Sequence, residues 1–149
     1  MKQVLLLVLA LFSHKVCAVD LDADYGVEVY IVETLLQSLG SSGGGEFGGR
    51  YLNHQGLRFV GKEGVVKEAH FGMKGLTICD EGKYGVRVTD LKRVGEIDKT
   101  VGQCVRWCKR WSKNRPYFVN GVCWNMVTAF LDDHETEHPA ADKGKCQIM

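Results

Sequence analysis

Between residues 101 and 113 the apolar positions recur mostly at separations of three and four. That spacing places them on one stripe of an α-helix, whose period is 3.6 residues. The stripe consists of Val101, Cys104, Trp107, Cys108 and Trp111. The opposite side carries the cations Arg106, Lys109, Arg110 and Lys113. The pattern therefore predicts an amphipathic helix with one cysteine-bearing side against a core and a basic side in water.

An N-terminal helix is predicted over residues 19–40. Asp24 is a suitable N-cap and Gly40 a suitable residue to end the helix. Between them runs an apolar stripe of Val27, Tyr30, Ile31, Leu35 and Leu39. Additional apolar residues widen this stripe, so the helix is either well buried or presents a surface to a partner. The run 27–32 also has the β-branched composition of a strand.

A Gly-rich segment at residues 41–50 has the composition of a flexible linker. From residue 51 short apolar runs alternate with glycines, which predicts β-strands joined by tight turns. The runs are 57–60, 65–66, 76–79 and 84–88, with turns at Gly61, Gly64, Gly75 and Gly82. A strand or hairpin is predicted over 117–130, followed by a charged loop over 132–145. Residues 51–149 are therefore expected to form an α+β domain, with one helix packed on an antiparallel sheet.

The first 18 residues have the layout of a secretory signal peptide. Lys2 precedes an apolar stretch too short to span a bilayer, and residues 16–18 form a small-residue cleavage site. Removal of the segment takes away Lys2 and Lys15, leaving 17 of the 19 basic residues against 18 acidic ones, a net charge of −1. This balance gives no reason to expect a nucleic-acid partner, and no later segment is apolar enough to predict a membrane span. We expect a secreted, extracellular protein.

Five cysteines remain after the signal peptide, and in an oxidising compartment disulfides are the default. Cys104 and Cys108 lie one turn apart on the predicted helix, so each can reach a different segment beneath it. Cys123 and Cys146 are the candidate partners, and four cysteines allow three pairings. The fifth, Cys79, is expected to be a buried free thiol or to link two chains into a homodimer.

The spacing from residue 104 is C-x3-C-x14-C-x22-C, with Cys123-Trp-Asn-Met-Val-Thr-Ala-Phe at the third cysteine and Cys146-Gln-Ile at the fourth. This pattern resembles the PAN/apple domain over a core of residues 72–149. The resemblance implies that Cys108 pairs with Cys123 and Cys104 with Cys146, with Cys123 opening a strand. It also implies a non-catalytic module that binds proteins or carbohydrates.

Residues 134–138 match H-E-x-x-H, in which two histidines bind zinc and the glutamate acts as general base. A zincin needs a third ligand downstream, but Pro139 follows at once and no later residue is His or Glu. His54 and His70 are only remote candidates to complete such a site. We interpret the segment as a solvated acidic loop with at most weak metal binding by His134 and His138, and we predict no cofactor. A zinc hydrolase with Glu135 as base is the enzymatic alternative.

The last four residues, Cys146-Gln-Ile-Met, match the C-a-a-X box for prenylation. A chain that enters the secretory lumen does not meet the cytosolic prenyl transferases. The signal peptide therefore favours a disulfide at Cys146.

The cationic side of the predicted helix, extended by one residue beyond it, is the candidate binding surface. Its members are Arg106, Lys109, Arg110, Lys113 and Arg115. Clustered cations attract acidic proteins or sulfated glycans with an affinity that salt weakens, whereas the alternative is an ordinary solvated helix face. The sequence thus predicts a non-catalytic module that binds an extracellular protein or acidic carbohydrate. A toxin-like effector that acts on a receptor or channel is the alternative.

Overall fold

The computed structural model describes residues 19–37, 51–117 and 123–134. Within these ranges five strands form one antiparallel sheet, and two helices follow it. The elements are β1 (Val27–Gln37), β2 (Tyr51–Val60), β3 (Val66–Gly72), β4 (Gly75–Cys79), β5 (Arg87–Ile97), α1 (Val101–Ser112) and α2 (Cys123–Asp133). The sheet order is β4-β3-β2-β1-β5, so the first strand of the chain lies inside the sheet. The predicted α+β class with an antiparallel sheet is confirmed.

The predicted N-terminal helix is wrong over residues 27–37, because they form β1. Val27, Val29 and Ile31 occupy alternate positions and belong to the core cluster that also contains residues of both helices. β1 pairs with β2 along one edge and with β5 along the other. Backbone hydrogen bonds on both edges and burial of alternate side chains favour the extended chain over the local helical spacing.

Glycines form the turns between the strands, as predicted. Gly64 precedes β3 with φ of 82°, and Gly75 begins β4 with φ of 97°. Both conformations are left-handed and strain any residue that has a Cβ. The predicted runs 57–60 and 76–79 lie within β2 and β4, whereas of the run 84–88 only the last two residues belong to β5.

Helix α1 is confirmed close to its predicted boundaries. The Thr100 hydroxyl accepts a hydrogen bond from the Gln103 N–H at 3.0 Å, and the Gln103 side chain accepts one from the Thr100 N–H at 3.0 Å. This capping box satisfies backbone donors that the start of a helix leaves unpaired. The predicted apolar stripe faces the core, where Val101, Cys104 and Cys108 are buried.

The strand or hairpin predicted over 117–130 is wrong over residues 123–130, because Cys123–Asp133 form α2, and residues 118–122 lie outside the described ranges. Its buried residues are Cys123, Met126, Val127, Phe130 and Leu131. These positions are mostly three and four residues apart, which is the helical period. Cys123 therefore begins a helix and not the strand that the PAN/apple resemblance implied.

Aromatic side chains pack the two helices on one face of the sheet. The ring centroid of Phe130 in α2 lies 5.1 Å from that of Phe59 in β2 and 5.1 Å from that of Trp107 in α1. Trp111 meets Phe71 of β3 edge-on at 5.1 Å. Such aromatic pairs contribute about 0.5–1.5 kcal/mol each beyond the area that they bury. The position of α1 is thus fixed by non-covalent packing.

Two of the four cysteines predicted to form disulfides are free thiols. Cys104 and Cys108 are fully buried and unbonded, so the predicted pairs Cys104–Cys146 and Cys108–Cys123 are wrong. Both thiols face the apolar interior beneath α1, and burial raises the pKa of Cys104 to about 12 and raises that of Cys108 as well. They stay protonated and pack as small apolar groups. Outside the described residues lie Cys146, the predicted signal peptide (1–18), the predicted linker (41–50) and the predicted loop beyond residue 134.

Candidate functional site

The face of the sheet opposite the helices carries buried polar side chains. Along β2, Leu57 and Phe59 point toward the helices, and alternation turns Arg58 and His54 to the other face. Four side chains, which we call the histidine cluster, meet there: His54, Arg58, Glu68 and His70, at 2, 7, 1 and 0% exposure. Ionisable groups are seldom buried unless they are paired. The partners of each member therefore decide what the cluster can do.

An ion pair inside the histidine cluster joins Arg58 to Glu68. Nη2 and Nε of Arg58 lie 2.7 and 2.8 Å from Oε2 of Glu68, and the strand register sets the two residues directly opposite each other. The Gly82 backbone N–H donates to the same oxygen at 3.0 Å, and Arg58 Nη1 contacts the exposed Glu81 at 2.9 Å. The buried carboxylate thus has the donors that a desolvated charge requires.

A hydrogen-bond chain runs from Glu68 through two histidines. His70 Nε2 lies 2.8 Å from Glu68 Oε1, and His70 Nδ1 lies 3.1 Å from His54 Nε2. An ionised carboxylate only accepts hydrogen bonds, so the hydrogen of a neutral His70 is on Nε2 and its Nδ1 accepts. His54 therefore donates from Nε2, and its Nδ1 keeps a lone pair.

Burial keeps both imidazoles of the cluster neutral. Burial, together with the nearby His70, lowers the pKa of His54 from 6.5 to about 3. Burial also lowers the pKa of His70 more than the Glu68 carboxylate raises it. For Glu68, burial raises the pKa, but the hydrogen bonds from His70, the Gly82 N–H and Arg58 outweigh it and the net shift is downward. At neutral pH the cluster holds an ionised carboxylate beside two neutral imidazoles.

Tyr84, in the loop between β4 and β5, covers the histidine cluster. Its ring stacks on His70 with a centroid distance of 4.1 Å and an interplanar angle of 5°, and lies 5.0 Å from the His54 ring. Gly56 leaves room for this stack, since a Cβ there would collide with the His70 ring. Gly72 of β3 leaves room for the Tyr84 side chain, because a Cβ at this position would lie 2.7 Å from the Tyr84 hydroxyl.

Three side chains at the edge of the cluster offer ligand atoms to a metal ion. One ligand atom from each of Glu68, His70 and Cys79 lies within 4.8 Å of the other two. Cys79, the last residue of β4, is a free and half-buried thiol whose pKa is raised by burial and by the carboxylates of Glu68 and Asp80. Carboxylate, imidazole and thiolate are the donor types that Zn²⁺ takes. The predicted homodimer through Cys79 stays a prediction.

The predicted basic surface lies on the outer side of α1, and one of its members is already paired. Both terminal nitrogens of Arg106 lie 2.9 Å from the Asp22 carboxylate, a bidentate ion pair that offsets its charge. Lys109, Arg110 and Lys113 are exposed. Within the described ranges these three cations have no ion-pair partner.

Arg115 follows these cations and is held against α1. Its guanidinium carbon lies 4.0 Å from the centre of the Trp111 ring, and its Nε donates to the Trp111 carbonyl oxygen at 2.9 Å. Stacking on an indole orients the guanidinium without removing its charge. We call Lys109, Arg110, Lys113 and Arg115 the basic face of α1.

Of the H-E-x-x-H segment only His134 is described, and it packs against the end of α2. Its Nδ1 lies 2.6 Å from the Phe130 carbonyl oxygen, and its ring stacks on Phe130 with centroids 4.0 Å apart. α2 ends at Asp133, one residue before the motif. A zincin requires both histidines on successive turns of one helix. Glu135 and His138 lie outside the described residues.

Comparison with known proteins gives no match: no protein-family model, no curated protein and no solved structure matches the chain. In the described part of the chain, neither helix is long and apolar enough to cross a bilayer. The function is therefore inferred from the geometry of the two sites.

The sequence does not point to the histidine cluster, because the cluster depends on pairing between strands. Glu68 and His70 share one face of β3, and the register of β2 with β3 brings Arg58 opposite Glu68. A partial indication is present in the sequence, since Glu68 and His70 alternate with the apolar Ala69 and Phe71. Alternation of this kind shows that polar side chains share a face, but not which strand lies beside them.

Proposed function

We propose that this protein is a secreted, non-catalytic binding module that recognises a sulfated or carboxylated glycan through the basic face of α1. One observation carries the proposal: Lys109, Arg110 and Lys113 are exposed on adjacent turns and lack ion-pair partners in the described ranges. On a solvated helix face, acidic side chains at i+3 or i+4 can pair with cations and offset their charge. Here Arg106 has an acidic partner in Asp22, 84 residues away in the sequence, whereas the other three cations have none in the described ranges.

The spacing of these charges suits a linear polyanion. Lys109 and Lys113 are four residues apart, which is about 6 Å along the axis of a helix. The guanidinium of Arg115 is already oriented by Trp111, so less conformational entropy is lost when it contacts a sulfate or carboxylate group. Because the side chains are exposed, we expect binding to weaken as ionic strength rises.

The scaffold for this surface is the packed helix α1. Trp107 and Trp111 hold its inner side against Phe130 and Phe71, and the Trp107 indole N–H donates to Asp133 of α2 at 2.8 Å. The PAN/apple resemblance implied a recognition module built on an α+β domain, and the proposed function includes only this part of what it implied. The disulfide pairing that the resemblance implied is not part of it, because two of the cysteines are free.

Replacement of Lys109, Arg110 and Lys113 by alanine is expected to abolish most of the retention on immobilised heparin. Each exposed charge contact at about 4 Å contributes about 1 kcal/mol in water, so the loss of three corresponds to about a hundredfold in affinity. The salt concentration that elutes each protein and the Kd for a heparin oligosaccharide check this expectation.

A variant with the same change in net charge is the control. Lys83, Arg87 and Lys92 are exposed and lie in the β4–β5 loop, whose Tyr84 covers the sheet face opposite α1, and on β5. Their replacement by alanine is expected to leave the elution position close to that of the wild type. Equal losses in the two triple variants would show attraction by net charge alone and would contradict the proposal. Equal binding to heparin that lacks both sulfates and carboxylates would show that the anionic groups are not recognised, and would contradict it as well.

A further inference from the structure

We propose that Glu68, His70 and Cys79 form a binding site for Zn²⁺ or a similar divalent transition metal on the face of the sheet opposite α1. The site is separate from the basic face, and it departs from the expectation of no cofactor. One ligand atom from each of these three residues lies within 4.8 Å of the other two. The proposal assigns Glu68 Oε1, His70 Nε2 and Cys79 Sγ as the ligands, because Oε1 and Nε2 already lie 2.8 Å apart.

The three ligand atoms would need to move only slightly to coordinate a metal ion. Zn²⁺ binds oxygen and nitrogen at about 2.0–2.2 Å and sulfur at about 2.3 Å, so tetrahedral ligand atoms stand about 3.3–3.8 Å apart. Glu68 Oε1 and His70 Nε2, now 2.8 Å apart, would separate by less than about 1 Å as the ion replaces the shared hydrogen. Cys79 would approach by about 1 Å, and it ends the edge strand β4, where the outer side has no strand neighbour in the described sheet.

The charges of the site balance when the ion is bound. Without it, Arg58, Glu68 and Glu81 form a joined set with a net charge of −1. A divalent ion adds two positive charges and the Cys79 thiol loses one proton to solvent, which brings the total to zero. Arg58 binds the other carboxylate oxygen of Glu68, Oε2, so Oε1 remains available to the ion.

His54 supplies the outer contact that orients the ligand. With the ion on Nε2, the hydrogen of His70 is on Nδ1, and the hydrogen of His54 moves from Nε2 to Nδ1. His70 Nδ1 then donates to His54 Nε2, 3.1 Å away. A second hydrogen-bond partner of this kind fixes the ring orientation of a metal-binding histidine. Tyr84 stacks on the same ring and restricts its tilt. Three protein ligands leave a fourth position for water.

The test is titration of the reduced, tag-free, chelator-treated chain with Zn²⁺ and with Co²⁺. We expect about one Zn²⁺ per chain at this site, release of about one proton per ion from the thiol, and a thiolate-to-cobalt charge-transfer absorption. Cys79→Ser replaces a half-buried, unbonded thiol conservatively. It is expected to remove the absorption and to weaken Zn²⁺ binding by at least about tenfold.

Two control variants separate this site from the other thiols and histidines of the chain. Cys104→Ala removes a buried thiol of the core, and a His134→Gln/His138→Gln double variant removes the H-E-x-x-H histidines. Both are expected to keep the absorption and the affinity. The proposal is overturned if the wild type binds no stoichiometric Zn²⁺, if Cys79→Ser keeps the charge-transfer absorption, or if the double histidine variant loses it.

Discussion

Replacement of Arg58 by methionine is expected to lower the free energy of unfolding by about 3–5 kcal/mol. Arg58 is the cation that lies 2.7 Å from Glu68 in the interior of the sheet face, and both side chains are under 10% exposed. Methionine preserves much of the apolar stem but leaves the Glu68 carboxylate buried without its countercharge. Urea denaturation of the metal-free protein, with the slope of the transition compared between variants, measures this loss.

Lys67→Met is the matched control for this variant. Lys67 also pairs across strands, with Nζ 2.6 Å from Asp80 Oδ1, but the Asp80 side chain is 71% exposed. An ion pair in contact with water contributes little to stability, so this variant should lose far less than Arg58→Met. Adding Glu68→Gln to Arg58→Met should restore part of the stability, because it removes the unpaired charge. Similar small losses in Arg58→Met and Lys67→Met would contradict a buried ion pair.

Replacement of Phe130 by alanine is expected to cost about 3–5 kcal/mol of stability. Phe130 is fully buried between the sheet and α1, where it contacts Phe59 and the edge of Trp107. Truncation leaves a cavity at the point where α1, α2 and β2 meet. Thermal or urea unfolding measures the loss, and tryptophan fluorescence should shift to the red as Trp107 becomes more exposed.

Leu91→Ala provides the comparison, since Leu91 is an apolar residue of β5 that is 42% exposed. Its truncation is expected to change stability by about 0.5 kcal/mol or less. Should Phe130→Ala lose as little as Leu91→Ala, α1 is not held by the packing described above, and the basic face would lack its scaffold.

The helical period could be read from the sequence only where no competing period was present. In α1 the apolar residues fit a helix alone, and the boundaries agree with the prediction. In β1 two apolar spacings are present at once. Tyr30 and Ile31 lie three and four residues after Val27, which fits a helix, whereas Val27, Val29 and Ile31 alternate, which fits a strand. The strand is the one that forms, because β2 and β5 pair with both of its edges. That pairing is tertiary and is not encoded in the local spacing.

The opposite error occurred in α2. Met126, Val127 and Phe130 have helical spacing, but the cysteine pattern directed the interpretation toward a strand beginning at Cys123. Helical periodicity predicted the cations of the basic face. It could not predict the ion pair between Arg106 and Asp22, because these residues are 84 positions apart in the sequence. Long-range contacts of this type require the sheet order to be known.

The most direct measurement of the central claim is lysine acetylation of the intact protein with and without a heparin oligosaccharide, quantified by peptide mass spectrometry. If the basic face of α1 binds the glycan, acetylation of Lys109 and Lys113 slows several-fold in its presence, while Lys83 and Lys92, exposed elsewhere on the protein, react at unchanged rates. Unchanged rates at Lys109 and Lys113, or equal protection of all four lysines, would contradict the account.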